Sequence, residues 1–184
     1  MTTGKGALRM ALFGVVFILM RGSFSVSKEN WIVYLRHTGP LQIGMSISEV
    51  RKVIGDPSAH LVWLDQSDPK GINECSYLET RALPVGLNVM FNRQRVVRIE
   101  ITEKNATKTA SGIGIGDTEE KAKAAYPNRI RVEPHPYTDG HYLVFTPADK
   151  ADRDYGMIFE TEQGRVTEFR AGIMNAVILI EGCA

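Results

Sequence analysis

The chain has 184 residues, of which 43% are apolar and 23% are charged. This length suits one domain or two small ones, and the apolar fraction can fill a core, which excludes wholesale disorder. The 22 basic and 21 acidic residues nearly cancel, whereas proteins that bind nucleic acid usually carry a clear basic excess. We therefore expect no nucleic-acid partner. Two cysteines are too few for a small protein held together mainly by disulfides.

Residues 1–25 show the order of features that is typical of a secretory signal peptide. Lys5 and Arg9 precede an unbroken apolar run over residues 10–20, and serines follow within the next five residues. The run is shorter than the roughly 20 apolar residues that a membrane-spanning helix needs. We therefore predict cleavage near residue 25, a periplasmic or secreted protein, and no stable membrane anchor after cleavage. The alternative is an N-terminal segment that is disordered or packs into the core.

Export gives the two cysteines a role. Because a pair of cysteines in an oxidising compartment usually forms a disulfide, we predict a bond between Cys75 and Cys183. In the chain-entropy model, closing a loop of about 100 residues stabilises a fold by as much as ~4.7 kcal/mol. The alternatives are two buried free thiols, or thiols used in chemistry. Neither cysteine lies in a Cys-x-x-Cys motif, which argues against a redox catalyst.

Two stretches of the chain, residues 43–54 and 115–126, resemble each other. Each begins with Ile-Gly, has a hydroxyl residue two positions after the glycine (Ser46 or Thr118), and continues as an amphipathic run. A hydroxyl side chain before such a run predicts a short helix with a capped N-terminus. In the first stretch, Ser46 and Glu49 also have the spacing of a capping box.

Each predicted helix is followed by segments with strand character. Residues 87–102 alternate apolar and polar side chains on both sides of a turn, and residues 155–169 repeat this pattern, so each predicts a β-hairpin with one buried face. Further strands are expected at residues 60–64, 74–78, 141–146 and 176–181. We therefore predict an α+β protein made of two tandem repeats, each a short helix packed on an antiparallel sheet of about three to four strands.

The predicted domain boundaries follow from these patterns. They give a signal peptide at 1–25, a first helix–sheet repeat at 26–104, a polar linker at 105–111, and a second helix–sheet repeat at 112–184. In this arrangement the predicted disulfide would tie a strand of the first repeat to the last strand of the second.

The start of the first predicted helix resembles that of two known families. The motif Ile-Gly-Met-Ser-x-x-Glu-Val, which starts at Ile43 and precedes antiparallel strands, resembles the β-lactamase inhibitory protein, which carries two such modules in tandem. It also resembles the small outer-membrane lipoprotein of the β-barrel assembly machinery. The resemblance implies a helix–sheet fold, and either inhibition of an envelope enzyme or assistance to envelope assembly.

A second resemblance spans most of the second predicted repeat. Residues 112–117, 131–137, 140–143 and 181–183 resemble a group of exported bacterial proteins. This resemblance supports export and implies no particular chemistry.

The most chemically varied stretch, residues 133–142, is predicted to be a loop stiffened by two prolines. It holds four residues of types that can ligate a metal, namely Glu133, His135, Asp139 and His141. Their spacing matches no metal motif, so we predict no metal site. We instead expect the loop to contact a partner, with the two tyrosines as aromatic anchors. The candidate partner-binding residues are Glu133, His135, Tyr137, His141 and Tyr142.

The sequence contains no nucleophile, zinc-protease or phosphate-loop motif of a known enzyme class. We therefore predict neither catalysis nor a cofactor. The predicted function is a non-catalytic, exported module that binds an unknown envelope or secreted protein, and both an enzyme inhibitor and an envelope-assembly accessory fit this description. The alternative is a metal- or small-ligand-binding protein, or an enzyme, that uses residues 133–142.

Overall fold

The computed structural model describes residues 1, 31–62 and 75–183. The predicted signal peptide lies outside this range except for its first residue, as do the last two residues of the strand predicted at 60–64. The described part is an α+β fold dominated by β-structure, as predicted, with three short α-helices and two sheets. None of the helices in this part is long and apolar enough to cross a membrane.

The elements follow one another in chain order as β1 (Ile32–Val33), β2 (His37–Thr38), β3 (Leu41–Gln42), α1 (Ile47–Ile54), β4 (His60–Val62), β5 (Cys75–Glu79), β6 (Leu87–Asn92), β7 (Arg95–Ile101), β8 (Lys108–Thr109), α2 (Glu119–Ala125), β9 (Ile130–Pro134), β10 (His141–Phe145), β11 (Tyr155–Glu162), β12 (Arg165–Ile173) and α3 (Met174–Val177). A single turn of 3₁₀-helix, Lys150–Asp152, precedes β11.

Eight antiparallel strands form one continuous sheet in the order β4-β5-β6-β7-β12-β11-β10-β9. The sequence predicted two separate sheets, but β7 pairs with β12 and joins them. In this pairing Ile99 lies opposite Ala171 and Ile101 lies opposite Phe169. All four side chains are buried. The pairing removes two strand edges that would otherwise present unpaired backbone groups.

Both predicted hairpins are present, and their turns have the same geometry. The two residues between β6 and β7, Arg93 and Gln94, have φ values of 48° and 58°. The two residues between β11 and β12, Gln163 and Gly164, have φ values of 50° and 72°. Positive φ at both central residues is the mark of a type I′ turn, whose twist matches that of the paired strands.

The two longer helices cover one face of the sheet, here called the inner face. Val50 of α1 and Ala122 of α2 are both 0% exposed and belong to the main apolar core. The predicted capping box is confirmed, because the Ser46 side chain accepts from the Glu49 backbone while the Glu49 side chain accepts from the Ser46 backbone. Thr118 caps α2 in the same way by accepting a hydrogen bond from the Lys121 N–H.

A small second sheet closes one end of the main core. Its strand order is β3-β2-β1-β8, and β8 runs parallel to β1. Val33 of β1 and Leu41 of β3 are buried in the same core as the inner face of the large sheet. The stretch 105–111, predicted as a linker, supplies β8 to this sheet.

Residues 174–183, here called the C-terminal segment, lie on the other face of the large sheet, which we call the outer face. The strand predicted at 176–181 is wrong, because α3 ends at Val177 and turns follow. The backbone carbonyls of this stretch bind arginine side chains instead of a neighbouring strand. Arg98 Nη1 donates to the carbonyls of Ala176 at 2.9 Å and Leu179 at 2.7 Å, and Arg170 Nε donates to that of Val177 at 2.6 Å.

The predicted disulfide between Cys75 and Cys183 is present, and it joins residues 108 positions apart. Cys183 lies in a turn rather than on a strand, so the expectation that the bond joins two strands is wrong. The bond fixes the end of the C-terminal segment to β5.

Candidate functional site

The stretch 133–142 forms a hairpin rather than a single loop. Glu133 lies on β9 opposite Tyr142 on β10, and Pro134 lies opposite His141, so only residues 135–140 make the connecting loop. The sequence analysis missed β9. Gly140 is required at the end of the loop, because a Cβ atom there would collide with the backbone carbonyl of Thr161.

The hairpin sends its two histidines to opposite faces of the sheet. His135 packs on the outer side against the Tyr142 ring, with 4.6 Å between ring centroids, and its Nε2 lies 3.3 Å from Glu160 Oε2. His141 instead bonds to Glu119 of α2, on the inner side. The two histidines therefore share no site. Among the described residues there is no group of three or more potential metal ligands.

Of the predicted partner-binding residues, Tyr137 and His141 are the most exposed. The Tyr137 residue is 68% exposed and the His141 side chain is 45% exposed. Tyr142 is only 6% exposed, so little of its side chain is accessible on the surface. Glu133 is half-buried and pairs with Arg131, while His135 supports the loop from beneath.

A buried carboxylate orients His141. Glu119 Oε1 lies 2.8 Å from His141 Nδ1 and accepts a hydrogen bond of 2.6 Å from the Thr161 hydroxyl. Its Oε2 lies 3.4 Å from Lys123 Nζ. Burial acts to raise the pKa of Glu119, but the hydrogen bonds from Thr161 and His141 outweigh it, so the net pKa is lowered. Glu119 is therefore a carboxylate, and the proton of a neutral His141 is held on Nδ1.

An open cleft of about 710 Å³ lies beside this pair. We call it the hairpin cleft. One wall is the loop with the start of β10, the other is the turn between β11 and β12, and Glu119 closes it on the side of α2. Its lining residues are Glu119, Pro136, Tyr137, Thr138, Asp139, Gly140, His141, Glu162, Gln163 and Gly164. The cleft thus contains most of the stretch that the sequence analysis selected.

A charged network occupies the outer face beneath the C-terminal segment. The Arg170 side chain is 1% exposed; it bonds to Glu160 and lies 3.3 Å from Glu168 Oε1. Burial, together with the carboxylates of Glu160 and Glu100, raises the pKa of Glu168 to about 7. This network positions His135 through Glu160 and so fixes the base of the loop.

The loop also touches the C-terminal segment. The Tyr137 hydroxyl donates to Glu181 Oε1 at 3.1 Å, and this hydrogen bond raises the pKa of Tyr137. Three consecutive aliphatic residues precede Glu181 and are well exposed, at 52%, 43% and 41% for Ile178, Leu179 and Ile180. We call Tyr137 and residues 178–180 the apolar patch.

Sequence reasoning missed Glu119, Thr161, Glu160 and Arg170. Helix α2 and strands β11 and β12 bring these residues to the hairpin from distant positions in the chain. One signal was available in the two similar stretches, where Glu119 stands at the position that holds Ile47 in the first. A charged residue at a position that faces the core in the first stretch suggests a special environment.

Comparisons with known proteins identified no relative of this chain. No family model, no curated protein and no solved structure matches the chain.

Proposed function

We propose, first, that the chain consists of two copies of one helix-and-strand unit. Each unit has a helix followed by four strands of the large sheet. The glycines that precede the helices support this through matching hydrogen bonds. The Gly44 N–H donates to the Val96 carbonyl at 2.8 Å, and the Gly116 N–H donates to the Val166 carbonyl at 2.7 Å.

The arginines that follow the two turns support the same proposal. Arg95 Nη1 donates to the Gly44 carbonyl at 3.2 Å, and Arg165 Nη1 donates to the Gly116 carbonyl at 2.9 Å. The hairpins also share a β-bulge, between Met90 and Phe91 in one and between Glu160 and Thr161 in the other. In this register Phe91 corresponds to Thr161.

The function that the geometry favours is an exported, non-catalytic module that binds another protein. The observation that carries it is the hydrogen bond from the exposed Tyr137 to Glu181, the residue that directly follows three exposed aliphatic residues in the chain. Large exposed apolar surfaces mark interaction sites, and tyrosine is a common anchor at the centre of interfaces.

Two features support export. Residues 1–25 have the pattern of a signal peptide, and the two cysteines form a disulfide, a bond found mainly in oxidising compartments. The resemblance of the first helix start to the β-lactamase inhibitory protein and to the small lipoprotein of the β-barrel assembly machinery suggests two forms of this function. One is inhibition of an envelope enzyme, and the other is assistance to envelope assembly.

The experiment is capture of a partner with the chain from Val26 as bait, followed by calorimetry with the purified partner. We expect one stoichiometric partner whose affinity falls at least about tenfold in a Tyr137→Ala/Ile178→Ser variant, because interface anchors of this kind contribute about 1–2 kcal/mol or more each. The matched control is Val85→Ser, which changes an apolar residue that is 73% exposed elsewhere. A partner bound equally well by the patch variant would contradict the proposal, as would the absence of any partner.

The class of the captured protein separates the two forms. A soluble hydrolase indicates inhibition, and its activity should fall when the module is added in equal amounts. An outer-membrane complex indicates assembly.

The alternative is binding of a metal or small ligand, or catalysis, at the hairpin cleft. The observation that favours it is His141, which is oriented by a carboxylate as metal-binding and catalytic histidines often are. Metal analysis of the purified protein and a ligand-dependent rise in melting temperature test this alternative.

A further inference from the structure

The two units allow a comparison within one chain. At the positions that correspond to Glu119 and Thr161, the first unit has Ile47 and Phe91, which both pack in the main apolar core. The second unit therefore replaces an apolar contact by a hydrogen-bonded pair that also holds His141. Packing alone does not require this change, because the first unit fills the corresponding place with the apolar side chains of Ile47 and Phe91. Of the two corresponding places, the hydrogen-bonded pair is found at the one beside the hairpin cleft.

The orientation of His141 leaves one ring nitrogen available. Nδ1 is engaged by Glu119 at 2.8 Å, and Nε2 has no hydrogen bond to any of the residues that the structure describes. In the neutral imidazole with its proton on Nδ1, facing Glu119, Nε2 is a hydrogen-bond acceptor. Nearly half of the side chain is exposed, and the residue lines the cleft. A ligand that uses this nitrogen must supply a donor.

The charged residues that line the cleft indicate which kind of donor it favours. Among the described residues, three carboxylates line it, those of Glu119, Asp139 and Glu162, and no lysine or arginine does. Lys123 offsets part of this charge by lying 3.4 Å from the far oxygen of Glu119. The remaining excess is negative and favours a cation.

An aromatic ring stands at the mouth of the cleft. Tyr137 is 68% exposed and belongs both to the cleft lining and to the apolar patch. A tyrosine face attracts ammonium and guanidinium groups. The cleft and the patch are thus continuous through this residue, so one partner can reach both.

We propose that the hairpin cleft receives a basic side chain, arginine or lysine, of the partner protein that contacts the apolar patch. This inference rests on the proposed protein-binding function and names the chemistry that the partner must present. The cationic group donates to His141 Nε2 and pairs with Asp139 and Glu162, while its aliphatic stem packs on the Tyr137 ring. Glu119 is a positioning residue that holds His141.

The test is a titration of the isotope-labelled chain from Val26, monitored by amide chemical shifts at low salt. The probe is Nα-acetyl-arginine amide, and Nα-acetyl-citrulline amide serves as its neutral counterpart of nearly the same shape. We expect the arginine probe to shift resonances of residues 136–141 and 162–164 in a saturable way, and the citrulline probe to bind far more weakly. Nα-acetyl-lysine amide then distinguishes recognition of charge alone from recognition of the planar guanidinium.

Variants locate the binding. Asp139→Asn/Glu162→Gln should weaken the arginine probe about fivefold or more, the effect of removing two partly exposed ion pairs. Asp154→Asn/Glu103→Gln removes the same charge from positions outside the cleft and should leave binding unchanged. A His141→Ala variant should also weaken the probe, since it removes the acceptor.

Several results would overturn the inference. They are no saturable shift up to tens of millimolar probe, equal shifts with arginine and citrulline, or equal affinity in the parent and the Asp139/Glu162 variant. Failure of this inference can be distinguished from failure of the proposed function. A partner that depends on the apolar patch, together with failure of the arginine probe, would leave the function standing and remove only this inference.

Discussion

Charged residues alternate in sign along the two central strands of the outer face. Arg98 and Glu100 lie on β7, and Glu168 and Arg170 occupy the corresponding places on β12 in the opposite order. Glu100 lies directly opposite Arg170, and Arg98 Nη2 is 2.7 Å from Glu100 Oε2. Removing one member of such a buried pair leaves an uncompensated charge, whereas the intact set adds little stability of its own. The network therefore fixes the arrangement of the C-terminal segment more than it stabilises the fold.

Two glycines that precede the helices provide a test at the scale of single residues. Gly44 and Gly116 have φ values of +92° and +91°, a region that β-branched residues avoid. We expect Gly44→Val and Gly116→Val each to lower the free energy of unfolding by roughly 1–3 kcal/mol, the cost of a strained backbone conformation. Urea unfolding measures this loss. Val85→Ala, at an exposed position away from both glycines, should be as stable as the parent. Glycine variants as stable as the parent would contradict the strain expected from the positive φ at Gly44 and Gly116.

Glu168 should make stability depend on pH. Its pKa is about 7 in the folded state, against an ordinary value of 4.5, so the folded protein keeps this proton between those values while the unfolded chain loses it. Stability contributed at this site is therefore greatest below pH 4.5, falls as the pH rises to about 7, and stays low above that. Glu168→Gln removes the dependence, and at pH 8 it should be more stable than the parent by on the order of 1–3 kcal/mol.

Urea unfolding of the parent and Glu168→Gln from pH 5 to pH 8 measures this difference. The gain should shrink as the pH is lowered through the window. Glu103→Gln, at an exposed position, should show no such trend. A gain that is constant with pH, or that grows at low pH, would contradict the assignment.

At the scale of elements, the C-terminal segment is held from three sides. The disulfide fixes its end, Arg98 and Arg170 bind its carbonyls, and Tyr137 of the hairpin loop binds Glu181. The segment in turn covers the charged network and places the aliphatic residues of the apolar patch beside the loop. The position of the patch therefore depends on contacts among elements that are far apart in the sequence.

The disulfide should be complete and strongly stabilising. We expect thiol labelling of the unreduced, denatured protein to add no mass. A Cys75→Ser/Cys183→Ser variant should lose about 2–5 kcal/mol of unfolding free energy, with faster amide exchange in residues 174–183. The parent with its disulfide reduced is the matched control and should behave like the variant. Labelling of both cysteines without reduction would contradict the bond.

At the scale of the whole molecule, one sheet and one main core join the half of the chain from α1 to β7 to the half from α2 to β12. Buried residues of α1, α2 and both central strands belong to the same apolar cluster. The small sheet adds β8, from the stretch between the units, to β1 near the start of the described chain. Neither unit can therefore lose its structure without exposing the core of the other.

This arrangement predicts a single cooperative unfolding transition. Ala171 is 0% exposed on β12 and lies opposite Ile99 of β7. Ala171→Asp should lower stability by roughly 3 kcal/mol or more because it buries an unpaired charge. Amide exchange should then accelerate in α1 and α2 alike. Thr167→Asp, at an exposed position of the same strand, should have little effect. Two separate transitions, or acceleration in α2 only, would contradict the shared core.

The sequence by itself determined the local features. Apolar alternation predicted both central hairpins, and hydroxyl residues before amphipathic runs predicted α1 and α2. The expected export gave the Cys75–Cys183 pair. These features depend on side-chain period, capping and turn chemistry, which act over a few residues, or on the small number of cysteines.

Only the tertiary structure decided how the pieces combine. The pairing of β7 with β12 depends on contacts between residues about 70 positions apart, and the strand predicted at 176–181 failed because buried arginines bind its carbonyls. The two histidines of the hairpin are close in sequence, yet His141 on β10 bonds to Glu119 on the inner face, whereas His135 in the loop lies against Glu160 on the outer face. Strand pairing and burial between residues distant in the chain decide these features. The pattern of neighbouring residues in the sequence contains no information on either.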